Sequence, residues 1–279
     1  MMDTPKGSIN ADLIYKSTLQ RDLILTFLSP SVKKYKKAPV YFIIPGGGWH
    51  TEDRQSMIEF SAQSVDDLRN EGFAVVSIDY RVCGEGVVMR DIITDCFDAV
   101  RYISHFADIL EIDRECFVMS GHSAGAHLAL MLSYASEAIF RGDNSFDETF
   151  KVKVVAAMSP PTALYDWKTN NLRDISDVFK NCDTKEEREI TSPIEYVDAS
   201  CPPTFLCAGT SDYLVFAISS ENLYKKMCEY KVPCELKLSI GGGHCFEKIH
   251  DTIEPSISAS EMQRLVTDFI LKYMENDDD

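Results

Sequence analysis

The hydrophobic positions of this chain fall into short continuous runs separated by stretches of helical spacing, and that alternation predicts the architecture before any motif is considered. Val40 to Ile44, Phe73 to Ile78, Cys116 to Met119, Val152 to Met158 and Thr204 to Ala208 are apolar runs of the length expected of strands buried on both faces, and Glu235 to Ile240 reads as a further strand. Between and after them Met57 to Glu71, Asp91 to Leu110, Ala126 to Ala135, Ala217 to Tyr230 and Ser260 to Met274 read as helices. In the second of these, Ile93, Cys96, Phe97, Val100 and Ile103 recur at three- and four-residue steps, and Met262, Leu265, Val266, Phe269, Ile270 and Tyr273 form a similar stripe in the last. Asp12 to Tyr15 and Asp22 to Leu28 read as an opening hairpin, followed by a basic connector from Ser31 to Lys37. Strands that alternate with helices imply right-handed crossovers and a mostly parallel central sheet with helices on both faces, an α/β fold.

At 279 residues and 45% hydrophobic, the chain is expected to form a single domain over 1–279, and 162–200, where polar and charged residues dominate, is a candidate small cover over a site. Lys and Arg number 28 against 44 Asp and Glu, and the resulting charge of −16 argues against nucleic acid and anionic membrane surfaces as partners. No apolar run approaches the ~18 residues of a membrane span, and Met1 to Gly7 lacks the basic and apolar character of a leader. Glu275 to Asp279 reads as a solvated acidic tail. Nine cysteines without a C-x-x-C pair suggest reduced thiols, with no metal site and no cofactor, and a cytoplasmic location is expected. Association into a homo-oligomer is left open.

The candidate chemistry centres on Gly121-His122-Ser123-Ala124-Gly125, which joins an apolar strand to an apolar helix. A strand that turns directly into a helix brings two backbones together, so residues without Cβ are wanted on either side of a serine forced outward. The alternative is a small-residue turn whose serine only caps the helix. A serine hydroxyl needs a base, and the base needs a partner that fixes its tautomer. Of the six histidines only His244 and His250 follow Asp212, and only His244 sits in the loop after a strand, as Asp212 also does. Gly47 and Gly48, directly after the strand Val40 to Ile44, and Ala124, directly after the serine, can offer backbone amides to a developing oxyanion.

The strings P-G-G-G-W at 45–49, I-D-Y-R at 78–81, G-H-S-A-G-A-H-L-A at 121–129, S-P-I-E-Y-V at 192–197, G-T-S-D-Y-L-V at 209–215 and G-G-H-C-F at 242–246 carry a family resemblance. The chain resembles the uncapped or lightly capped serine esterases of the α/β-hydrolase superfamily, near the hormone-sensitive-lipase-like and acetyl-xylan or feruloyl esterase-like branches. The resemblance implies an α/β-hydrolase fold with little or no cap, Ser123 as nucleophile, His244 as base, Asp212 as its orienter, and Gly47, Gly48 and Ala124 as the oxyanion hole. It implies hydrolysis of small or short-chain acyl esters, acetylated sugars among them, through an acyl-enzyme.

Two features depart from the family: Pro45 stands where histidine commonly precedes the glycines, and the N-terminal region lacks a helical cap. Trp49 is expected to line the substrate pocket. His50 and His122 are read as supporting polar residues, His127 as a core histidine, and Asp79 with Arg81 as a structural hydrogen-bonded pair behind the site. An arylformamidase-type amide hydrolase is the main alternative, because that family resembles the same string around the serine; a prolyl-oligopeptidase-type peptidase ranks below it, as the chain has no room for a propeller. A non-catalytic receptor on the same fold is the alternative of a different class.

Overall fold

Strand β3 (Ala38–Ile44) is buried at every position, and its alternating side chains divide the core: Phe42 and Ile44 point to one face of the sheet, Tyr41 and Ile43 to the other. The computed structural model in which it lies describes residues 10–84, 86–142, 146–166, 168–169, 179 and 184–274. Strands β4 (Ala74–Ile78) and β5 (Ile112–His122) flank β3 in parallel, and β6 (Val152–Met158), β7 (Thr204–Gly209) and β8 (Cys234–Ser239) extend the parallel array. At the other edge β1 (Asn10–Ser17) and β2 (Asp22–Leu28) form the expected hairpin, joined antiparallel to β4 through β2. The order β1-β2-β4-β3-β5-β6-β7-β8 is the eight-stranded, mostly parallel sheet of the α/β-hydrolase fold.

Helices α3 (Met89–His105) and α4 (Ala124–Tyr134) cover one face, where Phe97, Val100, Leu128 and Met131 share one buried cluster with Phe42. Helix α6 (Ile218–Glu229) adds Leu223 and Met227 against Leu206 and Leu130. Helices α1 (Arg54–Phe60), α2 (Ala62–Asn70) and α7 (Ala259–Met274) cover the other face with Met57, Leu68, Met262 and Phe269. Each such side chain contributes about 1.5–3 kcal/mol on burial, so it is the two-sided covering that holds the parallel strands together.

Within 162–200, helix α5 (Lys185–Ile190) begins at Thr184, whose hydroxyl accepts from Glu187 N at 3.1 Å, and a short 3₁₀ turn follows at Pro193–Tyr196. Most of the expected cover before it, 167, 170–178 and 180–183, lies outside the described residues, as do the N-terminal segment and the acidic tail.

The single helix expected from Met57 to Glu71 is instead two, α1 and α2, broken at Ser61. Asp53 starts α1 three residues early by accepting from the amides of Gln55 and Ser56, both at 3.0 Å. At the break, Gln263 of α7 supplies partners from outside: its amide nitrogen donates to Phe60 O and its amide oxygen accepts from Gln63 N. The interruption thus depends on a side chain about two hundred positions away, which no local pattern encodes. Gln263→Ala is expected to lower the unfolding free energy by about 1–3 kcal/mol in urea titration, the cost of leaving buried backbone groups unpaired; unchanged stability would place the cause of the break elsewhere.

Candidate active site

Ser123 stands between β5 and α4 with φ 56° and ψ −122°, a backbone conformation that a residue with a Cβ rarely adopts. The surroundings impose it. Ser123 N donates to Met158 O on β6 at 2.8 Å, while Ser123 O accepts from His127 N at 3.1 Å as the first helical bond of α4. A Cβ on Gly125 would overlap the carbonyl oxygen of Ile44, and one on Gly121 would overlap the backbone of Gly125. Only glycine at 125 lets α4 start this close to β3. The serine side chain makes no capping bond to its helix, so the reading in which it merely caps is set aside.

Asp212 lies just beyond β7, with its side chain wholly buried. Its Oδ1 accepts from Leu214 N at 2.8 Å and Val215 N at 3.0 Å, which aims Oδ2 at His244, whose Nδ1 donates to it at 2.6 Å. That bond fixes the tautomer in which Nε2 is left as an acceptor. The loop carrying His244 is held by its backbone: His122 Nε2 donates to His244 O at 2.8 Å, Ser159 Oγ donates to the same oxygen at 3.0 Å, and Ser211 N donates to Gly242 O at 2.9 Å. The structure therefore brings Asp212 and His244 together and places the residue next to Ser123 in contact with the histidine's own backbone. Among the described residues no hydrogen bond joins Ser123 Oγ to His244; in sites of this kind such a bond commonly tightens only around substrate.

Gly47 and Gly48 follow β3 with φ 118° and 61°, and His50 N and Thr51 N both fold back onto Gly47 O, at 3.1 and 3.2 Å. With the carbonyl of Gly47 turned back in this way, neither glycine amide donates to another described residue, and neither does that of Ala124 at the open end of α4. The turn is anchored without the histidine that Pro45 replaces. Fully buried Tyr80, at the end of β4, donates its hydroxyl to Pro45 O at 2.7 Å, and Arg21 pairs with Glu52 just beyond the turn while donating to Tyr80 O at 2.9 Å. Burial lifts the Glu52 carboxyl to about 7, against the pull of Arg21. Tyr80 was within the I-D-Y-R string, but nothing in the sequence alone ties a tyrosine hydroxyl to a carbonyl thirty-five residues earlier. Beside the turn a cavity of about 260 Å³ is lined by Gly46, Gly47, Met57, Phe60 and His122.

Two expectations change. Trp49, expected to line the pocket, is 1% exposed; its φ of 63° turns the indole inward, where it meets His127 edge-on at 5.2 Å and offers no open face to a sugar ring. Asp79 and Arg81 do not pair with each other: Asp79 binds Arg54 at 3.0 Å while Arg81 binds buried Asp95 at 2.7 Å. His122 supports the His244 loop, as described, and His127 is a core histidine donating to Thr191 O at 2.7 Å. His50 lies beside Cys83, their Nδ1 and Sγ 2.6 Å apart. Among the described residues no cluster of side chains is suited to a metal ion, and no helix is long and apolar enough to cross a membrane.

The model of the family described as BD-FAE matches residues 25–227. Esterase LipQ of Mycobacterium tuberculosis is 25% identical over 216 residues, 74% of this chain and 49% of that protein. The non-reducing polyketide synthase Preu3 of Preussia isomera is 32% identical over 104 residues, 35% of this chain and 4% of the synthase. This chain therefore spans about half of the first relative and a small fraction of the second. Esterase 2 of Thermogutta terrifontis, in forms with propionate and with butyrate bound, superposes with a TM-score of 0.76 at 21% identity, covering 94% of each chain, and shares the fold.

Burial pushes both His122 and His127 down to about 4, so each stays neutral where an unfolded histidine, with a pKa near ~6.5, takes up a proton. The unfolded state binds more protons in that window, so their contribution to stability is complete above pH ~6.5 and is lost as pH falls toward 4. Glu52, raised to about 7, acts in the opposite sense over part of this range, so the comparison must be a difference. The stability of the native chain minus that of His127→Gln, from urea unfolding at pH 7 and pH 5, is expected to shrink at the lower pH; an unchanged difference would mean that His127 is not held neutral.

Proposed function

Because this chain belongs to the BD-FAE family of esterase-like α/β-hydrolases, we propose that it is a serine carboxylesterase that hydrolyses small or short-chain acyl esters through an acyl-enzyme. The observation that carries the reading is the 2.6 Å bond from His244 Nδ1 to Asp212 Oδ2, made beside a serine held at a strained strand-to-helix turn. In this mechanism Ser123 Oγ attacks the ester carbonyl and gives its proton to His244 Nε2, while Asp212 stabilises the imidazolium through Nδ1–H. The tetrahedral oxyanion accepts hydrogen bonds from the amides of Gly47, Gly48 and Ala124, each donor worth about 3–4 kcal/mol to the transition state. The protonated histidine then hands its proton to the departing alkoxide, the alcohol leaves, and Ser123 retains the acyl group. Water, deprotonated by His244, attacks the acyl-enzyme and releases the acid.

A small acyl group is supported by two features. The candidate covering segment, around Lys185 to Glu189, is charged rather than apolar, unlike a lid for insoluble fat. The fold neighbour from Thermogutta terrifontis has propionate and butyrate bound, which are short acids.

Purified protein is expected to hydrolyse p-nitrophenyl acetate and butyrate faster than long-chain esters, with acetylated sugars and N-formylkynurenine assayed in parallel. Ser123→Ala should abolish turnover, and Asp212→Asn should keep the fold but lower kcat by about 10⁴, as in the serine-protease template. Preferential cleavage of N-formylkynurenine would move the assignment to an arylformamidase-type amide hydrolase. Near-normal activity in Asp212→Asn would place the acid elsewhere, and no turnover of any acyl substrate would favour a binding role.

A further inference from the structure

Beyond the Ser123 site, one pair of side chains combines a nucleophile with a base: Cys83 Sγ lies 2.6 Å from His50 Nδ1. Two separate pieces of backbone hold the pair together. Cys83 N donates to Trp49 O at 2.8 Å, and His50 N donates to Gly47 O at 3.1 Å, so the residue preceding His50 is tied to the thiol's own main chain. Both side chains are open to reagents, since His50 is exposed and Cys83 half-buried. Cys83 borders a cavity of about 480 Å³ that Arg21, Arg81, Glu52 and Val87 also line. Arg21 pairs with Glu52 and Arg81 with Asp95, and the His50 imidazole nitrogen is a base in contact with the thiol.

We infer that Cys83 and His50 form a thiolate–imidazolium dyad that serves as a modification site for soft electrophiles, low-molecular-weight disulfides in particular. The thiol proton passes to His50 Nδ1, and the thiolate, rather than the thiol, is the nucleophile. With a small disulfide the Cys83 sulfur attacks one sulfur of the reagent; the new S–S bond forms as the old one breaks. The departing thiolate carries away the electron pair and takes the proton from the imidazolium. The cavity at Cys83 has room for the incoming half of the disulfide. The inference concerns this pair alone and does not require that Ser123 be catalytic.

The test is the rate of labelling by limiting iodoacetamide at pH 7, mapped by peptide mass, with the exposed Cys228 as internal reference. Cys83 is expected to react about tenfold faster than Cys228, and His50→Asn to slow Cys83 about tenfold while leaving Cys228 unchanged. Glutathione disulfide should add one glutathionyl group, mapped to Cys83 and removed by dithiothreitol. Should His50→Asn fail to fold, the pH dependence of alkylation in the native chain decides: half-maximal labelling of Cys83 below the ordinary thiol range of about 8.5 supports the dyad. That profile reads Cys83 in the combined field of His50, Arg21, Arg81 and Glu52. A half-maximum at or above 8.5, labelling of Cys83 no faster than Cys228, or a rate indifferent to His50→Asn would overturn the proposal.

Discussion

The architecture of the site rests on a single close approach, that of the first turn of α4 to the end of β3, where residue 125 has no room for a side chain beside Ile44 O. From that contact the rest follows. It leaves Ser123 no ordinary helical or extended conformation, turns it out at the crest of the sheet, and opens the amide end of α4 toward the same point. It also sets β3, and with it the Gly47 and Gly48 turn, at a fixed height relative to the serine. The strain at residue 123 is of the order of 1–3 kcal/mol, and the surrounding sheet, buried on both faces, supplies the stability that sustains it.

The second half of the site is built mostly from main chain. Asp212 is aimed by two amides of its own turn, and the His244 loop is fastened through the carbonyl of His244 to His122 and Ser159. His122 reaches that carbonyl from the position directly before Ser123, so the elbow and the histidine loop cannot drift apart independently. Pairing through backbone groups explains why the strand-end loops, which in isolation would be mobile, can hold a charge-bearing pair in register. The glycine turn is held in the same manner, by Tyr80 on the carbonyl of Pro45.

Much of this was legible in the residues. Continuous apolar runs give the central strands because a parallel sheet covered on both faces has no polar side, and three- and four-residue spacing gives α3 and α7 because each buries one stripe. Ser123, Asp212 and His244 fall at strand ends in the sequence pattern, and the fold gathers those ends on one edge of the sheet. What could not be read depends on partners distant in sequence. The break at Ser61 needs Gln263, the anchoring of Pro45 needs Tyr80, and Asp79 takes Arg54 from α1 while Arg81 takes Asp95 from α3. Trp49 misled for a related reason: its place beside two glycines suggests a pocket wall, but the positive φ it adopts turns it into the core.

In the proposed reaction the strained serine, the histidine paired to Asp212 and the free amides of the glycine turn act on one acyl carbon. The most direct measurement is a crystal structure of the protein after reaction with a small alkyl fluorophosphonate. The expected structure has a covalent bond from Ser123 Oγ to phosphorus, the phosphoryl oxygen within about 2.7–3.1 Å of the amides of Gly47, Gly48 and Ala124, and His244 Nε2 within hydrogen-bond reach of the adduct. A protein left unlabelled at Ser123, or an adduct whose phosphoryl oxygen points away from those amides, would contradict it.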